Sequence, residues 1–530
     1  MDRELYGRIS RWFDEHRNQM TEDIMRLVRI PSISSPQEDN EAPFGKECRD
    51  CLEEMLALGR EHGFCTENYE NRVGSIGGQD KDWEYMIGFW NHLDVVPVGN
   101  QWTYEPFEPV LKEYFLIGRG AQDNKGPAVG ILYMMKCLRE LKIPMKHQLR
   151  LFVGCDEERG MADLEYYTGR YPAPRLSMIA DSEFPVCYGE KGILEGSFHS
   201  QTAVSGLILE LEGGSASNMI PDSAHVVLKA TPELTEALQA MSDSRYDADT
   251  QAVPDPPHGA DADTHTASGL QRGADTQAVP RQQPGTDAVT QVTPGITVSL
   301  EKDTILITAT GKSRHSAFPE GSVNAIHELM RFLGGLTPLP EKDRELFRRL
   351  AYLSQEYYGE HTGIAGSDEV SGRTTCAATV LNLKEGRVSL HFNIRYIITA
   401  DRNGLSANLA QTAAENNLTW RLERDSAPNY FPKEHPAVQL LTDLYNEITG
   451  SSSECFVMGG GTYARKLPRA FAYGVGGMKE SEEDLRIKKQ LFLPGHGGAH
   501  EPDEGLNLRL LTEAMKIYAM AVVTLNECEL

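Results

Sequence analysis

The sequence predicts an α/β protein: a mostly parallel sheet flanked by helices and interrupted by an inserted α+β domain. Three observations predict it. Over roughly the first 190 residues, amphipathic stretches alternate with short apolar runs, the pattern of a parallel sheet covered by helices. From about Gly192 the strand-like runs instead alternate apolar and polar residues, as in a sheet with one open face. After about Pro428 the first pattern returns. The expected division is therefore 1–192, 193–428 and 429–530, with the outer two segments forming one domain.

The elements follow in order. "DIMRLVRI" (23–30) and "CRDCLEEMLALGREHGF" (48–64) have helical periodicity. No second cysteine pair completes a zinc site with Cys48 and Cys51, so they read as buried structural thiols. "YMIGFWNHLDVV" (85–96) predicts a strand, "GPAVGILYMMKCLRELK" (126–142) a helix, "HQLRLFVGCDEE" (147–158) a strand and "RLSMIADSE" (175–183) a shorter one. In the insertion, "LILELEGG" (207–214), "HVVLKA" (225–230), "ITVSLEKDTILITATG" (296–311) and "RVSLHFNIRYI" (387–397) read as strands. There "NAIHELMRFLGGL" (324–336) and "LSANLAQTAAEN" (405–416) read as helices. "AVQLLTDLYNEITG" (437–450), "AFAYGVGG" (470–477) and a closing helix, "LRLLTEAMKIYAMAVVTLN" (508–526), restore the α/β character. Residues 244–294 are rich in Ala, Asp, Thr, Gln and Pro and repeat "ADTQAVP" from Ala248 and Ala274. So few large apolar residues cannot offset the entropy of ordering the backbone, and a disordered surface loop is expected.

Composition excludes several classes. A net charge of −25 over 530 residues argues against nucleic acid, whose recognition needs Lys and Arg on phosphates. No apolar run approaches the roughly 20 residues that span a bilayer. The N-terminal stretch mixes charges and lacks a secretory core, and nine cysteines in a chain this long form no dense disulfide pattern. The expectation is a cytoplasmic protein without membrane or nucleic-acid partners.

The chemistry gathers at strand ends. His92 and Asp94 lie two apart on one predicted strand, so they share a face. Asp156, Glu157 and Glu158 follow another strand and Asp181 a third, and open sheets place ligands beyond such ends. Asp123 sits in a glycine-rich turn before a helix, and His496 and His500 share a glycine-rich loop. Three adjacent carboxylates are costly unless cations neutralise them. Imidazole with carboxylate suits zinc and also manganese or cobalt. The surplus of candidates fits two metals that share a bridging carboxylate.

Taken together, "NHLDVVPVG", "PFEPV", "GRGAQDNKGP", "DEE", "DSEFP", "HSAFPEGSVNA", "GGGTYAR" and "GAHEPDE" resemble the cocatalytic zinc peptidases of family M20, and within it the PepV-like dipeptidases. The resemblance implies a zinc-peptidase-type sheet with an inserted lid domain. It implies two divalent ions, one held by His92, Asp123 and Asp181, the other by Asp123, Glu158 and His500, with Asp123 as the bridge. Asp94 would orient His92 by accepting its second ring N–H, and the Asp123–Asn124 peptide would be cis. Glu157 would be the general base and His315 the lid histidine that stabilises the oxyanion. Asn218 and Arg395 match positions that contact substrate. The backbone of Gly459 to Gly461, with Thr462, would offer N–H groups to the substrate carboxylate. The implied activity is hydrolysis of dipeptides by a single chain. A related deacylase of N-acyl amino acids and a non-catalytic peptide-binding protein are the alternatives.

Overall fold

Apolar residues three and four apart set the first helices. In this computed structural model, which describes residues 2–249, 289–293 and 295–530, α1 (Arg3–Val28) starts at Asp2. That carboxylate accepts the N–H groups of Glu4 and Leu5 at 3.0 Å each. α2 (Lys46–Glu61) buries Cys48 and Cys51 beside Leu52, Met55 and Leu56, so both thiols pack as small apolar groups. There follow β1 (Cys65–Tyr69), β2 (Val73–Gly77), β3 (Met86–His92), α3 (Gly126–Glu140), β4 (Gln148–Gly154), β5 (Leu176–Ile179) and β6 (Val186–Glu190).

β3 is buried along its whole length because alternate residues serve two cores. Ile87 and Phe89 join the larger core with residues of α1, α2 and α3, whereas Met86 and Trp90 join Phe152, Tyr167 and Tyr463 on the other face. Trp90 stacks on Phe152 with ring centroids 4.3 Å apart. Truncating such a ring to alanine costs about 3–5 kcal/mol.

Between Glu190 and Gly192 the chain leaves this sheet and builds a second one. Its strands are β7 (Gly192–Ser200), β8 (Ile208–Gly213), β9 (Ser223–Lys229), β10 (Val289–Thr293), β11 (Ile296–Leu300), β12 (Thr304–Thr310), β13 (Thr375–Lys384), β14 (Arg387–Tyr396) and β15 (Leu418–Ser426). They lie in the order β10-β11-β12-β9-β8-β13-β14-β7-β15, with antiparallel pairing throughout. α4 (Ala325–Gly335), α5 (Glu341–Leu353) and α6 (Arg402–Glu415) share a core with it through Leu329, Phe347 and Leu409.

The chain then rejoins the first sheet with β16 (Asn429–Tyr430), α7 (Pro436–Thr449), β17 (Phe456–Met458), β18 (Ala470–Tyr473) and α8 (Leu508–Leu525). The order there is β1-β2-β4-β3-β5-β18-β6-β16, with β17 beside β6. The centre, β4-β3-β5-β18, is parallel as expected. The margins are antiparallel apart from β17, which runs parallel to β6, so the sheet is more mixed than the sequence suggests. One cause is local: Glu70 and Asn71 both take positive φ, 55° and 56°, and make β1 and β2 a tight hairpin.

The stretch expected to be disordered, 244–294, lies mostly outside the described residues. Its described margins are the end of the helix Pro232–Asp249 and strand β10. Among the described residues no helix is long and apolar enough to cross a membrane.

Candidate metal centre and substrate cleft

His92 ends β3 with its ring 1% exposed. Its Nδ1 faces the backbone carbonyl of Asp94 at 2.9 Å, which leaves Nε2 toward Asp123 Oδ1 at 2.9 Å and Asp181 Oδ2 at 3.5 Å. Asp123 sits in the turn before α3, and its peptide bond to Asn124 is cis. Asp181 follows β5 and accepts the Asn124 side-chain N–H at 2.8 Å. On the other side of Asp123, His500 Nε2 lies 3.0 Å from both Asp123 Oδ2 and Glu158 Oε1. Two groups with metal-ligand geometry result, His92–Asp123–Asp181 and Asp123–Glu158–His500, and they share Asp123. Within each, donor atoms lie within 4.8 Å of one another. Ions of this kind hold nitrogen and oxygen ligands at about 2.0–2.2 Å, so small adjustments would close either group on one.

Asp94 meets both His92 and the acidic turn. Its carboxylate stands 3.5 Å from His92 Nδ1, farther than its own carbonyl, and also accepts the N–H groups of Glu157 and Glu158 at 3.1 Å each. The residue therefore fixes the imidazole through its backbone and the acidic turn through its side chain. Asp156 stands apart, accepting the Ser34 hydroxyl at 2.5 Å and the Ala162 N–H at 3.1 Å. His496 is also outside both groups, paired with Asp503 at 2.7 Å.

The electrostatics of the cluster are dominated by its acids. Asp94, Asp123, Glu157, Glu158 and Asp181 crowd around two imidazoles. Burial resists charge on His92, yet hydrogen bonds to Asp123 and Asp181 push it well above the usual imidazole range. Bonds to Asp123 and Glu158 push His500 up to about 11. Burial would raise Asp123, but the two rings hold its carboxyl well below the ordinary range. Glu157 goes the other way: burial raises it strongly, His92 pulls it down, and Asp181, Glu158 and Asp94 add repulsion. Its Oε1 is buried with no hydrogen-bond partner. The acids force positive charge onto both rings, a demand that divalent cations would meet while releasing the ring protons. The donor set fits such ions.

Across from the cluster, loops of the two sheets meet. Arg395, at the end of β14, donates from Nη1 to the Gly459 carbonyl at 3.1 Å and from Nε to Asn393 at 2.9 Å. Ser316 ties the same Asn393 at 2.8 Å and, through its N–H, the Asn218 carbonyl at 2.9 Å. His315 precedes it. The Ala317 N–H donates to His315 Nδ1 at 3.2 Å, so the neutral ring carries its proton on Nε2. Burial, then the charges of Arg395 and His500, lower this ring to about 4.

Thr462 corrects the sequence reading. Its N–H and hydroxyl both donate to Glu190, at 3.1 and 2.6 Å, and its oxygen caps the turn Tyr463–Lys466. It is therefore unavailable to a ligand. The N–H groups of Gly460 and Gly461 have no partner among the described residues.

Sequence reasoning missed the groups behind these loops. Glu190 and Arg465 form a buried ion pair at 3.1 Å, and Arg465 also holds the Gly460 carbonyl at 2.8 Å. Glu504 and Arg119 pair at 2.7 Å beneath Asp123. Arg119, Arg465 and Glu504 lie inside the quoted motifs and Glu190 shortly after another, but their partners lie hundreds of residues away. A cavity of about 420 Å³ opens beside Asp123 and Asp181, walled by Phe115, Met478, Leu506 and Leu510.

Over 523 residues the chain is 28% identical to "Putative dipeptidase" of Staphylococcus epidermidis (strain ATCC 12228 / FDA PCI 1200), covering 96% of this chain and 98% of that one. Over 521 residues it is 26% identical to "Putative dipeptidase YtjP" of Bacillus subtilis (strain 168), covering 96% and 97%. The fold is shared with the dipeptidase Dug1p from Saccharomyces cerevisiae, with a TM-score of 0.53 and 14% identity over 98% of each chain. Residues 88–524, most of the chain, match the family described as Peptidase family M20/M25/M40. The chain belongs to that peptidase family and is a metallopeptidase.

Proposed function

We propose that the chain is a dipeptidase that uses two divalent ions, zinc by preference, with Asp123 as their shared ligand. His92 and Asp181 complete one site, Glu158 and His500 the other. The observation that carries the reading is the pair of ligand groups joined at Asp123, with the unpartnered carboxylate of Glu157 beside them. The names of the two bacterial relatives support the substrate class.

Bound there, the ions would supply Lewis acidity, polarising the scissile carbonyl and lowering the pKa of water. Glu157 takes the proton of the attacking water and delivers it to the leaving amine. No donor competes for its Oε1, and cations at the two ligand groups would oppose the upward push of burial and hold Glu157 ionised, free to accept. His315 donates Nε2–H to the developing oxyanion, a role its tautomer and neutrality suit. Arg395 presents the part of its guanidinium not bound to Asn393 and Gly459. With the free N–H groups of Gly460 and Gly461 and the side chain of Asn218, it holds the C-terminal carboxylate. The cavity beside Asp181 gives room to the side chain of the N-terminal residue.

We take 1–192 with 429–530 as the catalytic domain and 193–428 as the lid. Arg395 of the lid reaches the Gly459 carbonyl of its own chain at 3.1 Å, which supports a working monomer. Nine unpaired cysteines support the cytoplasm as its place. Replacing Glu157 with Gln should abolish hydrolysis of free dipeptides while leaving metal content unchanged, measured by elemental analysis alongside a dipeptide panel before and after chelation. Normal turnover by the variant would remove Glu157 from the mechanism. Preference for N-acyl amino acids over free dipeptides would make the enzyme a deacylase instead.

A further inference from the structure

We propose that the buried Glu504–Arg119 pair sets the spacing of Asp123 and His500, and with it the affinity for the ion that those two residues share with Glu158. The proposal rests on the two-metal reading above. Glu504 is wholly buried, and its carboxylate has four donors. One oxygen accepts the N–H groups of Gln122 at 2.8 Å and Asp123 at 3.0 Å. The other accepts the N–H of Gly120 at 3.0 Å and Arg119 Nη1 at 2.7 Å. The Glu504 carbonyl adds the N–H of Gly118 at 2.9 Å. The turn that ends in Asp123 is thus wrapped around a single acid.

Arg119 carries the arrangement to the second ligand. Its Nη2 donates to the His500 carbonyl at 3.4 Å, and its guanidinium lies over the Trp102 ring, 5.1 Å from the centroid. His500 otherwise sits in a loop at φ 64° with its side chain 51% exposed. Only three residues separate it from Glu504, so one anchor serves both ligands.

The two metal groups differ in how they are carried. His92 ends a buried strand and Asp181 follows another, so the sheet itself fixes them. Asp123 and His500 come from loops joined through Glu504 and Arg119. Disturbing the pair should therefore loosen the group containing His500 more than the group containing His92. A glutamine at 504 would turn an NH₂ toward N–H donors. A lysine at 119 keeps the charge beside Glu504 but cannot also reach the His500 carbonyl.

The test is calorimetric titration of zinc chloride into chelator-stripped full-length wild type, E504Q and R119K. Wild type should bind two ions. Each variant should weaken the ion held with His500 about 10- to 100-fold, as for other losses of a group supporting a metal ligand, and the ion held with His92 distinctly less, since the two share Asp123. Thermal unfolding of the stripped proteins checks the fold, and if E504Q does not fold, R119K alone decides. Two ions bound with unchanged affinities in the variant, or both sites weakened equally, would overturn the positioning role. A wild type that binds fewer than two ions would overturn the two-metal reading instead.

Discussion

Neighbours decide the charge of most groups in this site, and His315 shows it clearly. Burial, together with Arg395 and His500, lowers its ring to about 4, whereas a free imidazole titrates near 6.5. Between those values the unfolded chain binds more protons. The ring's contribution to stability is therefore complete above about pH 6.5 and is lost as pH falls toward 4. Urea unfolding at pH 7 and pH 5 should show wild type losing more stability than H315Q, which has no titrating ring. The same variant should lower kcat about 10²- to 10³-fold with little change in KM, as expected for loss of an oxyanion donor. A rise in KM alone would make His315 a binding residue. At Gly461 a side chain would place Cβ 2.0 Å from Arg465 Nη2. G461A should therefore raise KM for dipeptides with a free carboxylate and leave their amides less affected. At this scale the sequence was informative where a residue's setting is local. That His92 and Asp181 would stand at strand ends could be read from the apolar runs before them. That Glu190 would take the Thr462 N–H could not, because the two are 272 positions apart and nothing in either stretch points to the other.

Elements carry the ligands, and the strands and the loops do so differently. Buried β3 and β5 hold His92 and Asp181 where period-two packing leaves little freedom, and their run lengths made them legible before the fold was known. The antiparallel margins were less so, since a run of apolar residues reads the same in either direction. α8 gives the element-scale prediction. Leu510, in its first turn, walls the cavity beside Asp181. L510W should lower kcat/KM for dipeptides with bulky N-terminal residues at least tenfold relative to those beginning with glycine. Equal loss for both would place the substrate side chain elsewhere. The N-terminus of α8 is itself braced: Asn507 caps it and donates to Asp484, whose carboxylate also accepts from Ser481. Although burial opposes it, hydrogen bonds from Ser481, Tyr114 and Asn507 lower Asp484 to about 2. The stabilisation it brings is present above the ordinary carboxylate range and is lost as pH falls toward 2.

At the scale of the whole molecule, the two sheets pack into separate cores, and all five proposed metal ligands belong to the segments that build the first. Zinc should therefore shift the unfolding of one part and not the other. A thousandfold excess over the dissociation constant is worth about 4 kcal/mol per site, so calorimetry with and without chelator should show one transition moving and one standing still. A single transition moving as a unit would mean the two cores unfold together. Composition and alternation made this two-part plan legible, whereas the contacts that join the parts, such as Arg395 to Gly459, depend on tertiary placement alone. The chain leaves the first sheet after Glu190 and returns at Asn429, and these two residues are register partners on neighbouring strands. A short glycine bridge could thus replace everything between them, giving a miniature that keeps the five proposed metal ligands but lacks His315 and Arg395, and a ready socket into which foreign modules could be spliced.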